Sequence, residues 1–361
     1  MKVRMWDLKL GAEEMKEVED VVKSNFLGEG PKTRQFEEEI ARLCGVKHCV
    51  SVTGGGGVAL FIAMKAVGVG EGDEVVMPVY QHVSLANSAI LCGAKQIFVD
   101  CYAENGNIIV DDVEKAITEK TTAIAIVHNN GRYANTDKIL KIAGEHHIPV
   151  IEDACQALAS RHGIRHIGSE GTVGCLSFHP TKLITAGQGG AVITNDDGVY
   201  ESVCRLKDYG RFGRGKIPEL PDHYTSWGLN FRFSDLQAAV GLAQLKKIDQ
   251  RARRAKQMYR RYAAELGGER FITMAEDEVP WVADMSAVNP ALWKSRLAEL
   301  GVASALPYKP LHFQPIFRTD QVFENAIKWS ERSVWLPMHP YLTDEEQGYV
   351  IESVKKVSQL I

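Results

Sequence analysis

The chain has 361 residues, 45% of them hydrophobic and 24% charged, with a formal net charge of −4. That length supports a large buried core and predicts one large domain followed by a smaller one. The weak negative charge excludes the global basic field that draws nucleic acid or an anionic membrane, so neither is expected as a partner. No apolar run is long enough to span a bilayer, and the start, Met1-Lys2-Val3-Arg4-Met5-Trp6-Asp7, carries no signal-like apolar segment. The 7 cysteines, at 44, 49, 92, 101, 155, 175 and 204, are odd in number, scattered and never spaced Cys-x-x-Cys. They predict free thiols in a reducing cytoplasm, not disulfides or zinc.

The first segments have helical spacing. Met15, Val18 and Val22 predict one apolar helix face, and Phe36, Ile40 and Leu43 a second, with a turn at Gly28-Glu29-Gly30-Pro31 between them. From residue 48 strands and helices alternate. Strands are expected at 48–52, 74–77, 96–100, 123–128 and 149–153, and helices at 58–67, 83–91, 110–117 and 136–145. This alternation implies crossover units and a largely parallel sheet, hence an α/β fold. Two further apolar runs, 173–178 and 190–195, are joined by a Gly-rich link and predict a hairpin-like pair that makes the sheet mixed. A helix opening at Ser234 has two apolar stripes, which predicts burial between layers or subunits. After about residue 250 the character changes. The expected division is a large domain over 1–249 and a small α+β domain over 250–361, with short strands at 282–288 and 302–306. Arg251, Arg253, Arg254, Lys256, Arg260 and Arg261 predict a solvated helix face, and Trp281, Trp293, Trp329 and Trp335 are expected to pack the small domain.

The chemistry begins at Gly54-Gly55-Gly56-Gly57, between a strand and an apolar helix. Glycines let the backbone approach an anion, and a helix N-terminus offers free N–H groups and the positive end of its dipole. A flexible turn needs fewer than four glycines, so the run reads as a phosphate cradle; with no Gly-Lys-Ser/Thr after it, it is not a Walker loop. Asp153 ends a strand, where open α/β sheets place ligand sites. Alone it fits a helix cap equally well. Gln156 lies three residues on, and Lys182 follows in Ser177-Phe178-His179-Pro180-Thr181-Lys182, on a turn after an apolar strand. An amine able to form a Schiff base, with a carboxylate to face a ring nitrogen, fits the chemistry of pyridoxal 5′-phosphate. Ser177 can donate its hydroxyl to a phosphate. His162 and His166 are four apart, but the glycines at 163 and 168 make that segment a turn, and no metal site is expected.

Taken together, these motifs resemble the sugar aminotransferases of the DegT/DnrJ/EryC1/StrS family. The resemblance rests on Glu152-Asp153-Ala154-Cys155-Gln156, the run 177–182, Gly187-Gln188-Gly189-Gly190 and the run Leu229 to Ala239, and it covers nearly the whole chain. It implies a fold-type I pyridoxal-phosphate transferase with a mixed, mostly parallel sheet flanked by helices. By resemblance, Lys182 forms the Schiff base and moves the proton, Asp153 pairs with the ring nitrogen and Gln156 faces the ring. Ser177, Gly56 and Gly57 hold the phosphate. Asn230 reaches the phosphate of a neighbouring subunit, so a homodimer completes the site, and His312 falls near the sugar pocket.

Three positions depart from the family. Gly56-Gly57 stands where Gly-Thr is usual, so one hydroxyl is missing, and Thr53 is the expected substitute. His82 stands where an aromatic residue stacks on the cofactor ring, with Tyr80 as the alternative. Gln188 replaces a common Glu. The resemblance implies transfer of an amino group from glutamate or glutamine to a keto sugar, with the sugar linked to a nucleotide. The rivals are another pyridoxal-phosphate reaction on a sugar, such as dehydration, and a regulator that retains the fold. Related dehydratases carry His at the lysine position, which sets Lys182 against the first.

Overall fold

The computed structural model describes residues 1–211 and 223–360. A seven-stranded sheet forms the centre. Its strands are β1 (His48–Val52), β2 (Glu74–Pro78), β3 (Lys95–Val99), β4 (Thr121–Val127), β5 (Val150–Asp153), β8 (Val173–Ser177) and β9 (Gly190–Thr194). Between β5 and β8 lies a two-residue hairpin, β6 (Arg161–His162) with β7 (Arg165–His166). The order across the sheet is β1-β9-β8-β5-β4-β2-β3. Only β9 runs against its neighbours, so the sheet is mixed and mostly parallel, and β8 and β9 form the expected antiparallel pair.

Helices cover both faces. They are α1 (Ala12–Lys23), α2 (Pro31–Cys44), α3 (Gly56–Ala66), α4 (Val83–Cys92), α5 (Val110–Ala116), α6 (Thr136–His146), α7 (Asp197–Lys207) and α8 (Asp235–Leu245). The spacing of α2 is borne out: Phe36 and Ile40 are fully buried, and Phe36 packs on Phe178 and Phe233. Asp235, itself buried, accepts the Gly30 and Thr33 N–H groups (2.9 and 2.8 Å), so a residue some 200 positions away satisfies the orphan donors of α2. Ser234 caps α8 in a capping box with Gln237, and no residue of α8 is exposed, as its two stripes predict.

The buried face of α1 is displaced from the expected one, of which only Val18 stays half-buried. Met15 and Val22 are 64% and 55% exposed, whereas Glu14 and Val21 are buried. The reason is polar. Glu14 accepts hydrogen bonds from the Gly11 N–H (2.8 Å), Gln244 Nε2 (2.7 Å) and Lys247 Nζ (2.6 Å), and this network docks the helix on α8.

The C-terminal part comprises α9 (Ile248–Leu266), β10 (Ala283–Ser286), α10 (Pro290–Glu299), α11 (Glu324–Ser330), β11 (Ser333–Leu336) and α12 (Asp344–Ser358). Met258, Tyr262, Met285, Leu297, Val334 and Ile351 share a core there, joined by Val3 from the N-terminus. The expected boundary at 249/250 lies within the first turn of α9. The expected strand at 302–306 reduces to isolated bridges, Val302 to Val3 and Ala305 to Trp335 of β11. Arg251 departs from the solvated face: it is 7% exposed and donates to the Leu183 carbonyl, Gln244 Oε1 and Tyr341 Oη. Trp329 packs with Tyr80 in the core of the large sheet, not with the C-terminal helices.

Arg132, after β4, grips Asp284 on β10 through contacts of 2.7 and 2.6 Å, with both side chains almost fully buried. Removing one member leaves the other as an uncompensated buried charge. Asp284→Ala is therefore expected to cost about 3–5 kcal/mol of stability, read from the denaturation midpoint; a cost below about 0.5 kcal/mol, the usual scale of a surface change, would contradict the pairing.

Candidate active site

The carboxyl ends of β1, β5 and β8 lie at one edge of the sheet, since β9 is antiparallel to both β1 and β8. A cleft of about 310 Å³ opens there. Its lining gathers Gly56, Gly57, His82, Asp153, Gln156, Ser177 and Lys182, seven residues that the sequence had scattered over more than a hundred positions. Ser84, Cys155, His179, Gln188, Trp281 and Tyr308 also line it.

The glycine run leads straight into the N-terminus of α3. A Cβ on Gly56 would lie 2.5 Å from Cys155 Sγ, so a side chain there would collide with the turn that follows Asp153. A Cβ on Gly190 would lie 2.6 Å from the Gly55 carbonyl oxygen. The second glycine cluster thus lets β9 press against the cradle's backbone. Ser177, at the end of β8, is 8% exposed and accepts the His179 N–H at 3.4 Å.

Asp153 is 7% exposed, and its Oδ1 accepts the Cys155 N–H at 3.0 Å. This local bond closes a turn, not the helix cap that the sequence also allowed, since no helix follows β5, and the carboxylate lines the cleft. Gln156 Oε1 accepts the Asn130 N–H at 2.7 Å. Because a backbone N–H can only donate, the amide oxygen is fixed and the NH₂ end is left as the donor.

The Lys182 N–H bonds the His179 carbonyl (2.9 Å), and the ammonium nitrogen lies 3.8 Å from the centre of the Trp281 ring. Burial depresses the amine's pKa below the usual lysine value, with Cys155 and Asp153 pulling the other way. A larger share of neutral amine is what a nucleophilic lysine requires. Trp281 is held in turn by its indole N–H on the Thr181 carbonyl (2.8 Å), by stacking on Trp6 (5.2 Å), and by its backbone N–H on Asn130 Oδ1 (2.7 Å). It packs on Trp335 of the C-terminal part, as expected, and also walls the cleft.

His82 is the N-cap of α4: its Nδ1 accepts the Ser84 N–H at 3.3 Å and lies 2.7 Å from Ser84 Oγ. The same imidazole lines the cleft, with the Tyr308 ring edge-on at 5.4 Å. Tyr80, the alternative ring, is buried in the core against Trp329. Thr53 is not part of the lining; its N–H is bonded to the Phe231 carbonyl. His312 also falls outside. The Leu311 N–H is tied to the Val79 carbonyl, and the short turn that follows puts the imidazole against Phe313 and Phe323 (4.2 and 5.1 Å), so Tyr308, four residues earlier, faces the cleft in its place. Asn230 is exposed, pairs with Asp208 in an isolated bridge and does not reach this cleft.

His162 lies with Asp137 and Glu170 in a group that could hold a metal ion, but Arg165 already bridges the two carboxylates at 2.8 and 2.7 Å. His166 is buried on the Leu158 carbonyl.

The DegT/DnrJ/EryC1/StrS aminotransferase family pattern matches residues 8–355. The chain belongs to that family. It is 33% identical over 372 residues to the pleiotropic regulatory protein of Geobacillus stearothermophilus, covering 98% of each chain. It is 31% identical over 339 residues to the GDP-perosamine synthase of Caulobacter vibrioides, covering 90% of this chain and 89% of that one. Among solved structures it is similar to DesV of S. venezuelae, determined with a ketimine intermediate, at 28% identity and a TM-score of 0.93 over 100% of this chain and 99% of that one. The chain is thus an aminotransferase with the expected α/β fold, and membership implies pyridoxal phosphate.

The side chains fit that cofactor. The cleft offers a glycine cradle at a helix N-terminus for a phosphate, a buried carboxylate for a ring nitrogen and a desolvated amine for an aldehyde.

Proposed function

We propose that the protein moves an amino group from glutamate or glutamine to the carbonyl of a keto sugar, the sugar being carried on a nucleotide, with pyridoxal phosphate in the Lys182 cleft. The observation that carries this reading is the Lys182 amine, desolvated in the same cleft as Asp153 and the glycine cradle. When bound, the cofactor supplies an aldehyde that captures amines and a ring that accepts the electron pair left by a departing proton.

The chain's own residues do the rest. Lys182 would hold the cofactor covalently and, when released, would move the proton at the substrate carbon. Asp153 holds a proton on the ring nitrogen through direct charge pairing, which keeps the ring electron-poor. Gln156 donates its NH₂ to the ring oxygen. Gly56, Gly57 and Ser177 hold the phosphate, and His82 stacks on the ring, its plane fixed by the cap it forms on α4. Trp281 over Lys182 gives the amine a resting place when it is not bonded.

Asn230 acts in the cleft of a second copy, which makes the enzyme a homodimer with shared sites. Supporting this, Phe26, Leu27, Trp227 and Leu229 are about half exposed, large apolar side chains that a partner surface would cover. The units 1–249 and 250–361 act as large and small domains about the cleft. Unpaired thiols at all seven cysteines fit a cytoplasmic protein. The name of the Geobacillus relative favours a regulatory role as a second reading. Retention of Lys182, Asp153 and Gln156 weighs against it, because a binding protein has no use for an amine that forms imines.

Glutamate added to the yellow, cofactor-loaded protein should shift its absorbance and release 2-oxoglutarate, and a nucleotide-linked keto sugar should then gain an amine detectable by mass spectrometry. Lys182→Ala should lower turnover by at least about 10³-fold with the fold retained; full activity in that variant, or no response to any amino donor in the wild type, would overturn the reading. In mixed dimers of Asn230→Ala and Lys182→Ala chains, one of the two clefts combines both defects and the other has neither, so partial activity should return. No return on mixing would count against a shared site.

A further inference from the structure

We propose that Ser84 supplies the phosphate hydroxyl that the chain lacks at position 57. This rests on pyridoxal phosphate occupying the cleft as argued above, and it assigns a cofactor-binding role to a residue outside the family motifs. The space above Gly57 is the starting point. A Cβ built on Gly57 would have the Ser84 hydroxyl oxygen 3.4 Å away and the Ser84 Cβ 3.5 Å away as its nearest neighbours. Ser84 therefore stands where the side chain of residue 57 would project, and both residues line the cleft beside the glycine cradle.

The placement is set by two contacts. Ser88, one turn further along α4, shares its hydroxyl between the Ser84 carbonyl at 2.8 Å and the Gly57 carbonyl at 3.2 Å, which sets α4 against the start of α3. His82 caps α4, and its Nδ1 lies 2.7 Å from Ser84 Oγ. Since Nδ1 accepts the Ser84 backbone N–H, it also accepts the Ser84 hydroxyl proton. A hydroxyl has a single proton, so Ser84 gives it to His82 while the cradle is empty and turns it to a phosphate oxygen when one arrives. The absence of a side chain at 57 leaves room for that rotation. Two of the three departures from the family, Gly57 and His82, thus meet on one hydroxyl group.

The test is cofactor affinity measured on full-length protein stripped of cofactor, by equilibrium titration with pyridoxal phosphate and, separately, with pyridoxal, which has no phosphate. Ser84→Ala should weaken pyridoxal phosphate binding about tenfold or more, as expected for loss of a hydrogen bond to a charged group, and leave pyridoxal binding unchanged. Adding Gly57→Thr to Ser84→Ala should recover most of the loss, since the neighbours of a Cβ at 57 sit at ordinary contact distance. Unchanged pyridoxal phosphate affinity in Ser84→Ala, equal weakening toward both ligands, or no recovery in the double variant would overturn the assignment. Wild-type protein that binds neither ligand would instead overturn the cofactor reading itself, so the two failures are distinguishable.

Discussion

Removing the Lys182 amine from water is the constraint on which the rest of the cleft depends. In bulk solvent a lysine is a strongly hydrated cation and a poor nucleophile. Here the chain turns sharply after β8, the Lys182 N–H closes on the His179 carbonyl, and the side chain passes under Trp281. Burial then works against the charge while Asp153 works for it. The balance between these two effects, one from packing and one from Coulomb attraction, sets how much neutral amine is present. It depends on three strands ending at the same edge, which in turn depends on β9 running backwards between β1 and β8.

The cleft is tied to the C-terminal core by polar contacts of long range. Asn130 is central among them. It is 4% exposed, adopts a left-handed conformation, gives its N–H to Gln156, and receives the Trp281 and Val282 N–H groups on its side-chain oxygen. Arg132, two residues on, grips Asp284. One short turn after β4 therefore fixes a residue of the cleft floor, an aromatic wall and the C-terminal sheet at once. Movement of the C-terminal part would be felt directly at Lys182 through Trp281.

Local chemistry explains what could be read from sequence. The strand and helix alternation, the Ser234 cap and the buried face of α2 all follow from spacing within one element, and the structure bears them out. Gly56, Gly57, Asp153, Gln156, Ser177 and Lys182 were legible because each sits at a strand end or turn whose sequence is unusual without a ligand. Trp281, Tyr308, Asn130 and Ser84 were not legible, since what brings them to the cleft is tertiary packing. The Asn129-Asn130-Gly131 run directly after β4 was the one available signal for Asn130. The face of α1 was misread because a buried glutamate leaves Met15 and Val22 outside, and hydrophobic spacing is blind to a polar anchor such as Glu14 with Gln244 and Lys247. His312 kept its family-like surroundings in sequence, yet the turn at 311–313 rotates it into the core.

Covalent attachment of the cofactor gives the most direct measurement. Protein saturated with pyridoxal phosphate, reduced with borohydride and digested, should yield a single phosphopyridoxyl-labelled peptide with the added mass on Lys182. A label on a different lysine, or none on a chain that has been given excess aldehyde, would contradict the account.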